Sequence, residues 1–252
     1  MELNKIYNED CFETFNHIPD KSVDLVLTDP PYGVTSCKWD IVPNLDRLWI
    51  ELKRLGKNNC AYVFTASQPF TTDLINSNRK WFKYSLVWEK ERPSNPAHAK
   101  IRFMKWHEDI LVFMLNKGTF NPQMENRLDK NKRNNKLGIT HKSDVYGKQS
   151  IPQGNGLINE KYPSSVLKVN VERGLHPTQK PVALMEYLIK TYSNEGDLIY
   201  DPFMGSGTTA IACKNLNRNY IGCEISKEYC EIAKSRIKDC ATVAICRREY
   251  GI

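Results

Sequence analysis

The chain has 252 residues, 40% of them hydrophobic, which is enough for one α/β domain with a buried core and excludes a disordered chain. Its formal net charge is +7, and no apolar run in the sequence is long enough to span a membrane. The first residues, Met1 to Lys5, lack the basic and then apolar pattern of a secretion signal, which predicts a cytoplasmic protein.

Strands and helices alternate along most of the chain. Apolar, β-branched runs that stop at proline or glycine predict strands, and apolar stripes at helical spacing predict helices. The predicted strands are 23–28, 60–65, 84–89, 109–115, 198–200 and 220–224. The predicted helices are 43–55, 68–76, 177–192, 208–217 and 227–238. This alternation predicts an α/β fold with a doubly wound, Rossmann-like parallel sheet.

The eight cysteines are scattered and form neither a Cys-x-x-Cys pair nor a Cys/His cluster with zinc spacing. In a cytosolic protein such cysteines are reduced thiols, several of them buried as small apolar groups. The sequence therefore predicts no metal and no disulfide.

The positive charge is concentrated in two segments. Residues 79–105 hold eight lysines and arginines against two acids, and residues 116–173 hold eleven against five. Each segment has a net charge of +6, which leaves −5 for the rest of the chain. The apolar periodicity fails from Asn116 to Arg173, and a connection this long is usually functional or a small subdomain. Solvated loops can carry such charge, but this concentration is typical of a surface that contacts nucleic-acid phosphates.

The first strand ends at Asp29-Pro30-Pro31-Tyr32. The carboxylate of Asp29 and the carbonyl of Pro30 accept hydrogen bonds, and the two prolines fix their directions. The ring of Tyr32 offers a face on which a planar group can stack. Two acceptors and a stacking face suit the exocyclic amino group of a flat heterocycle. The alternative is an ordinary proline-rich turn.

A second motif, residues 201–209, lies where a strand is followed by a helix. Gly205 and Gly207 permit positive φ angles and close backbone approach, and the helix presents free amides. Glu224 ends the next strand, seventeen residues after Gly207, where an acid accepts hydrogen bonds from a ribose diol. There is no third glycine and no Gly-Lys-Ser/Thr, so the predicted ligand carries adenosine but no triphosphate.

Lys180 belongs to a third motif, His176-Pro177-Thr178-Gln179-Lys180-Pro181, at the start of a predicted helix. A lysine there can pair with a carboxylate, such as the amino-acid end of S-adenosylmethionine. The alternative is an ordinary helix start that contains proline.

Together these residues resemble the beta class of S-adenosylmethionine-dependent DNA amino-methyltransferases. In that class the Asp-Pro-Pro-Tyr motif precedes the cofactor motif and the target-recognition segment lies between them, the circularly permuted order found here. The likeness extends to residues 7–11, 22–24, 107–113 and 162–166. It implies a catalytic and cofactor-binding domain formed by residues 1–115 and 174–252, with 116–173 as the inserted target-recognition segment.

The resemblance also implies a role for each site residue. The resemblance places Asp10 and Cys11 at the adenine of S-adenosylmethionine, Glu224 at its ribose, and Lys180 and Thr208 at its carboxylate. The residues that it places at the methionine side are Asp201, Phe203, Gly205, Ser206 and Gly207. The catalytic residues it implies are Asp29, Pro30, Pro31 and Tyr32. They would act on a base that has flipped out of double-stranded DNA, because a stacked base cannot reach this pocket.

Aspartate rather than serine at the first catalytic position favours adenine as the substrate. The alternatives are the same reaction on the amine of cytosine, methylation of an RNA base or a protein glutamine, and a binding module without catalysis. The intact catalytic motif argues against the last of these. Lys38 or Trp39 is a candidate to close over the flipped base or to fill its gap. The alternative for Trp39 is that it only covers the core. The resemblance further implies a homodimer.

Overall fold

The computed structural model of the chain describes residues 1–37, 39–94, 96, 99–127, 133–134, 139–145, 147–151, 157–172 and 179–250. Three parts of the predicted features lie outside the described residues: Lys38, part of the insertion 116–173, and the start of the third motif at 176–178. The chain forms two compact units, one of residues Met1–Asn121 and Ser165–Ile252 and the other of Pro122–Ser164.

The elements are numbered in chain order. The strands are β1 (Lys5–Tyr7), β2 (Val23–Thr28), β3 (Gly56–Ala66), β4 (Phe82–Ser94), β5 (Lys105–Met114), β6 (Glu125–Asn126), β7 (Arg133–Asn134), β8 (Ile139–Ser143), β9 (Gly147–Ile151), β10 (Leu157–Ile158), β11 (Glu160–Lys161), β12 (Val166–Lys168), β13 (Leu198–Asp201) and β14 (Asn219–Cys223). The helices are α1 (Cys11–Thr14), α2 (Leu45–Leu55), α3 (Phe70–Ser77), α4 (Val182–Tyr192), α5 (Thr208–Asn215) and α6 (Lys227–Tyr250), with a short 3₁₀ helix at Phe15–His17.

The first unit contains an eight-stranded sheet with the order β1-β14-β13-β2-β3-β5-β4-β12. Its neighbouring strands are parallel except around β5, which is antiparallel to both β3 and β4. The predicted α/β fold is confirmed. The sheet, which was predicted to be parallel, is mostly parallel, and β5 is the exception. The connection from β4 to β5 is only residues 95–104, too short for the crossover that a parallel pair requires.

Helices cover both faces of this sheet. From Leu25 to Leu27 successive side chains of β2 point to opposite faces, so Leu25 and Leu27 join one core cluster while Val26 joins the other. Val23 also belongs to the second cluster, because the register of β2 is irregular between Val23 and Leu25. The first cluster includes the buried stripe of α4, and the second includes buried residues of α2 and α3. Because helices cover both faces of the sheet, a site can form at the ends of its strands. The carboxyl ends of the strands are the usual place for ligands in α/β folds.

The start of α4 was predicted at residue 177, and this boundary is wrong. Residues 179–181 are not helical, and the helix begins at Val182. Pro181 has φ −65° and ψ 138°, and a proline disfavours helical conformation in the residue before it, here Lys180. The extended backbone at 180–181 is what lets Lys180 occupy the position described below.

Two short strands of the main sheet were not predicted. β1 extends the sheet beyond β14 at one edge, and β12 extends it beyond β4 at the other. Each has only three residues, too few to show the alternation by which a strand is recognised in a sequence.

The second unit is built from three antiparallel strand pairs. β6 pairs with β11, β7 with β10, and β8 with β9. The strands β6, β7 and β8 therefore pair with the three strands that follow them in reverse order. Four of these strands have only two residues, which explains why the sequence shows no periodicity there. The predicted insertion, 116–173, is longer than this unit, because residues 116–121 and β12 belong to the first unit.

Within the described part of the chain, no helix has the length and apolar character to cross a membrane. In the same residues, no group of three or more acids, histidines and cysteines could hold a metal ion. Six cysteines whose side chains the structure describes are free thiols; five of these are buried, and Cys37 is partly exposed.

Candidate active site

The two main motifs meet at one edge of the sheet. β2 and β13 are adjacent parallel strands, with Val26 opposite Tyr200, so their carboxyl ends lie side by side. Asp29 follows β2, and Asp201 ends β13. A hydrogen bond of 2.6 Å from Thr28 Oγ1 to Asp201 Oδ1 joins the two strand ends directly. Residues more than 170 positions apart in the sequence therefore form one site.

A cavity of about 460 Å³ opens at this edge. Every residue that the sequence analysis assigned to catalysis or to the cofactor lines it, with the exception of Gly207. The catalytic group comprises Asp29, Pro30, Pro31 and Tyr32, and the cofactor group comprises Asp10, Cys11, Lys180, Asp201, Phe203, Gly205, Ser206, Thr208 and Glu224. One continuous pocket thus brings both predicted groups together.

The carboxylate of Asp29 accepts hydrogen bonds from three side chains. Its Oδ1 accepts from the Tyr32 hydroxyl at 2.6 Å and from the Thr65 hydroxyl, and its Oδ2 accepts from Lys180 Nζ at 2.6 Å. The side chain keeps 22% of its surface exposed, so it faces the cavity while its donors hold it from behind. Such fixation orients the remaining lone pairs of the carboxylate.

Tyr32 is packed as well as hydrogen-bonded. Its ring stacks on Phe70 with the ring centroids 5.4 Å apart, and the Lys180 ammonium lies 5.5 Å from its centroid. Burial raises the pKa of the Tyr32 hydroxyl well above its ordinary value, and the charges of Asp29 and Glu108 raise it further. Tyr32 is therefore a neutral donor to Asp29 at physiological pH.

Lys180 is the centre of a buried chain of charges. Its Nζ lies 2.6 Å from Asp29 Oδ2 and 3.3 Å from Glu108 Oε2, and the Glu108 carboxylate also accepts a hydrogen bond from Lys90. Burial opposes the charge on Lys180, but its two carboxylate neighbours raise its pKa above the ordinary value. Burial likewise opposes ionisation of Glu108, but the two ammonium groups hold the pKa of that carboxyl below its ordinary value. Lys180 and Glu108 are therefore both charged at neutral pH.

The partner predicted for Lys180 was a cofactor carboxylate, whereas both of its ion-pair partners in the structure are protein carboxylates. Thr65, Lys90 and Glu108 were not predicted as site residues. For Lys90 and Glu108 the sequence does contain a signal, because both are charged residues at the ends of apolar strands. In the structure both side chains are largely buried. Charged side chains are seldom buried unless they are paired.

Asp201 organises the loop that follows β13. Its carboxylate accepts hydrogen bonds from Thr28 Oγ1 and Thr209 Oγ1, both at 2.6 Å, and from the backbone amide of Phe203 at 3.0 Å. Burial raises the pKa of Asp201 to about 6. The structure thus gives this acid a supporting role for the glycine-containing loop, in addition to its place on the cavity wall.

The glycines adopt the backbone conformations that were predicted. Gly205 has φ +53° and Gly207 has φ +85°, both in the left-handed region. The amide of Gly205 donates to Glu224 Oε2 at 2.9 Å, and the amide of Ser226 donates to Glu224 Oε1 at 2.8 Å. Burial raises the pKa of Glu224. Each oxygen of this carboxylate retains a lone pair for a further donor.

Gly207 is the one predicted site residue that does not line the cavity. It supports the loop by its packing instead. A Cβ at this position would lie 2.8 Å from the Ala233 Cβ on α6, and its φ of +85° is unfavourable for any other residue. We expect Gly207→Ala to lower the free energy of unfolding by about 1–3 kcal/mol, measured by urea titration.

Gly196→Ala is the matched control for that substitution. Gly196 has a similar φ of +82°, but a Cβ there would meet no atom within 4 Å. The control should therefore lose only the part of the stability that depends on φ. Equal losses in the two variants would show that the approach of Gly207 to Ala233 contributes nothing.

Two further carboxylates shape the cavity wall. Asp10 caps α1 by accepting a hydrogen bond from the Phe12 amide at 2.8 Å, beside the buried Cys11. Burial raises the pKa of the Cys11 thiol to about 12, so the thiol is neutral and forms an apolar part of the cavity wall. Asp40 accepts hydrogen bonds from three successive backbone amides, at residues 33–35, and so fixes the loop after the catalytic motif. Half-buried Trp39 lines the cavity next to it.

Comparison with known proteins identifies the class to which this fold and site belong. The chain is 32% identical to the Type II methyltransferase M1.MboII of Moraxella bovis, over 91% of this chain and 94% of that protein. It is 32% identical to the Type II methyltransferase M.HpaI of Haemophilus parainfluenzae, over 90% of this chain and 72% of that protein. The crystal structure of an M1.HpyAVI-SAM complex matches 92% of this chain and 98% of its own, with a TM-score of 0.62 and 30% identity.

Residues 23–235 match the family model N6_N4_Mtase, described as DNA methylase. The match includes both the Asp-Pro-Pro-Tyr motif and the glycine-containing loop. The chain therefore belongs to this DNA methylase family.

Proposed function

We propose that this DNA methyltransferase transfers the methyl group of S-adenosylmethionine to the exocyclic amine of an adenine flipped out of double-stranded DNA. The observation that carries the proposal is that Asp29 and the glycine-containing loop line one cavity, at the ends of two adjacent strands. An amine acceptor and a nucleoside site in one pocket are what a methyl transfer to an amino group requires.

The residues of the cavity fit S-adenosylmethionine. Gly205 leaves open space where a side chain would stand, since an added Cβ there meets no atom within 4 Å. Glu224 retains lone pairs for a ribose diol, and the first amides of α5 have no acceptor within the helix itself. Asp10 and Cys11 would contact the adenine. When bound, the cofactor supplies an electrophilic methyl group.

The protein's part in the reaction is to orient and polarise the amine. An aromatic amine is a poor nucleophile because its lone pair is delocalised into the ring. If Asp29 and the Pro30 carbonyl each accept one N–H, the lone pair becomes localised on nitrogen and points into the pocket. Fixed acceptors of this kind act by positioning and by stabilising the positive charge that develops on nitrogen. The product cation is acidic, and Asp29 is placed to hold the proton it loses.

We assign Lys180 to the support of Asp29. Its ammonium contacts the carboxylate at 2.6 Å and is itself held by Glu108. This buried pair fixes the direction of Asp29, and Tyr32 and Thr65 fix its other oxygen. In this proposal Thr208 and the loop amides, rather than Lys180, provide the donors for the cofactor carboxylate.

Adenine rather than cytosine is proposed because aspartate occupies the first catalytic position. The same acceptors could hold the amine of cytosine, which remains the second candidate. We further propose that residues 116–173, which include the second unit, read the DNA sequence, since they carry a net charge of +6. The homodimer and the cytoplasmic location stay predictions.

The test is to incubate the purified protein with S-adenosylmethionine and unmethylated bacterial DNA, digest the DNA to nucleosides and analyse them by mass spectrometry. We expect deoxyadenosine methylated on its exocyclic amine. Deoxycytidine methylated on its amine would keep the mechanism and overturn the choice of base. The absence of any methylated nucleoside, with cofactor binding shown separately by calorimetry, would reject DNA as the substrate.

A further inference from the structure

The loop between β4 and β5 and the first residues of β5 present apolar side chains that the protein does not bury. Phe103 in the loop is fully exposed, Ile101 in the loop is 78% exposed, and Trp106 on β5 is 47% exposed. Single exposed apolar residues are common, but three within six positions are typical of an interaction surface. These side chains contribute nothing to the core and are available for binding.

The strand directions place this loop beside the catalytic residues. β3 runs parallel to β2, and β4 is antiparallel to β5, which is antiparallel to β3. The end of β4 and the start of β5 therefore lie at the same edge of the sheet as Asp29. Lys105, at the start of β5, donates a hydrogen bond to Ser67, two residues beyond the Thr65 that contacts Asp29. The root of the loop is thus fixed against the active site.

Positive charge accompanies these apolar residues. Lys100 and Arg102 alternate with Ile101 and Phe103 in the loop and are exposed, Arg92 is exposed on β4, and Lys105 at the start of β5 is partly buried. Cations beside exposed apolar groups suit double-stranded DNA, because they contact phosphates while the apolar group enters the base stack. This charge favours DNA over another protein as the partner.

We propose that Phe103 enters the DNA duplex beside the flipped nucleotide and stacks in the gap that the base leaves, with Ile101 against the neighbouring base pair. The proposal rests on the proposed function, since it requires a flipped base. Flipping breaks the stacking of the target base with its neighbours, and an aromatic ring in the gap replaces part of it. We do not assign this role to Trp39, because its half-buried side chain lines the active-site cavity.

The test compares Phe103→Ala with the wild-type enzyme on two duplexes that carry the target sequence mapped from methylated DNA. One duplex is fully paired, and the other has an abasic site opposite the target base, so that the base is already unpaired. We expect kcat/KM of Phe103→Ala to fall about tenfold to 100-fold on the paired duplex. On the abasic duplex it should lie within about threefold of the wild type, because less stacking remains to be replaced. Phe103→Trp should retain most of the activity on both.

Leu115→Ala is the control. Leu115 is a half-exposed apolar residue outside the proposed DNA-reading segment, and it follows β5 at the opposite edge of the sheet, where the neighbouring Asn116 bonds to the backbone at the start of β3. It should leave both duplexes equally good substrates. Wild-type rates for Phe103→Ala on the paired duplex would overturn the inference while leaving the proposed function intact. An equal loss on both duplexes would also overturn it, since it would indicate a general binding defect. A wild-type enzyme that methylates neither duplex would reject the proposed function as well.

Discussion

Asp29→Asn is expected to lower kcat for methyl transfer by about 1,000-fold while leaving S-adenosylmethionine binding within about threefold of the wild type. The substitution keeps the shape of the side chain but replaces one acceptor oxygen by a donor and removes the negative charge. The Lys180, Tyr32 and Thr65 donors that hold the carboxylate would then compete for one neutral oxygen. Single-turnover transfer of a labelled methyl group and titration calorimetry measure the two quantities separately.

The control for this prediction is Asp46→Asn, which makes the same chemical change at an exposed position in the first turn of α2. It should retain full activity. Thermal unfolding of Asp29→Asn is needed beside it, because the substitution leaves the buried Lys180 with one carboxylate partner instead of two. A folded Asp29→Asn enzyme that methylates DNA at the wild-type rate would show that the proposed role of Asp29 is wrong.

The sequence was sufficient to predict the strand ends that build the site. The apolar run 23–28 stops at two prolines, and β2 has these bounds in the structure. The glycines in 201–209 permit left-handed conformations, which Gly205 and Gly207 adopt. These features are local, since they depend on residues that are neighbours in the chain. Local rules of backbone conformation were therefore enough for them.

The charge chain behind Asp29 could not be predicted in this way. Lys180 and Asp29 are 151 positions apart, and their contact depends on the order of strands in the sheet. Glu108 reaches Lys180 because β5 is inserted between β3 and β4 and runs antiparallel to both. Periodicity identifies a strand but does not determine its neighbours or direction. The pairing of buried charges therefore had to come from the fold.

That chain of charges leads to the second large effect, on stability. We expect Glu108→Gln to lower the free energy of unfolding at pH 7 by about 3–5 kcal/mol. The neutral side chain would leave Lys90 and Lys180 close together without the carboxylate that now separates them. Both ammonium groups are nearly buried, so solvent does little to screen their repulsion. Urea titration of the two proteins measures the difference.

The dependence on pH distinguishes this charge effect from a loss of packing. The folded-state pKa of Glu108 lies below its ordinary value of 4.5, so the carboxylate contributes its stability above pH 4.5. This contribution is lost as the pH falls through the lowered pKa, because the wild-type side chain then becomes neutral as well. The difference between wild type and Glu108→Gln should therefore be constant from pH 8 to about pH 5 and shrink at lower pH.

Glu89→Gln provides the matched comparison, because Glu89 pairs with Lys168 at 3.3 Å at an exposed position on β4. Removing that pair should cost less than about 1 kcal/mol. If Glu108→Gln costs no more than Glu89→Gln, the buried charges are not coupled in the way the distances indicate. If it costs 3 kcal/mol or more with the stated pH dependence, the support of Asp29 by Lys180 depends on Glu108. In that case kcat of Glu108→Gln should fall by about tenfold, since Asp29 would be held less firmly for the reaction.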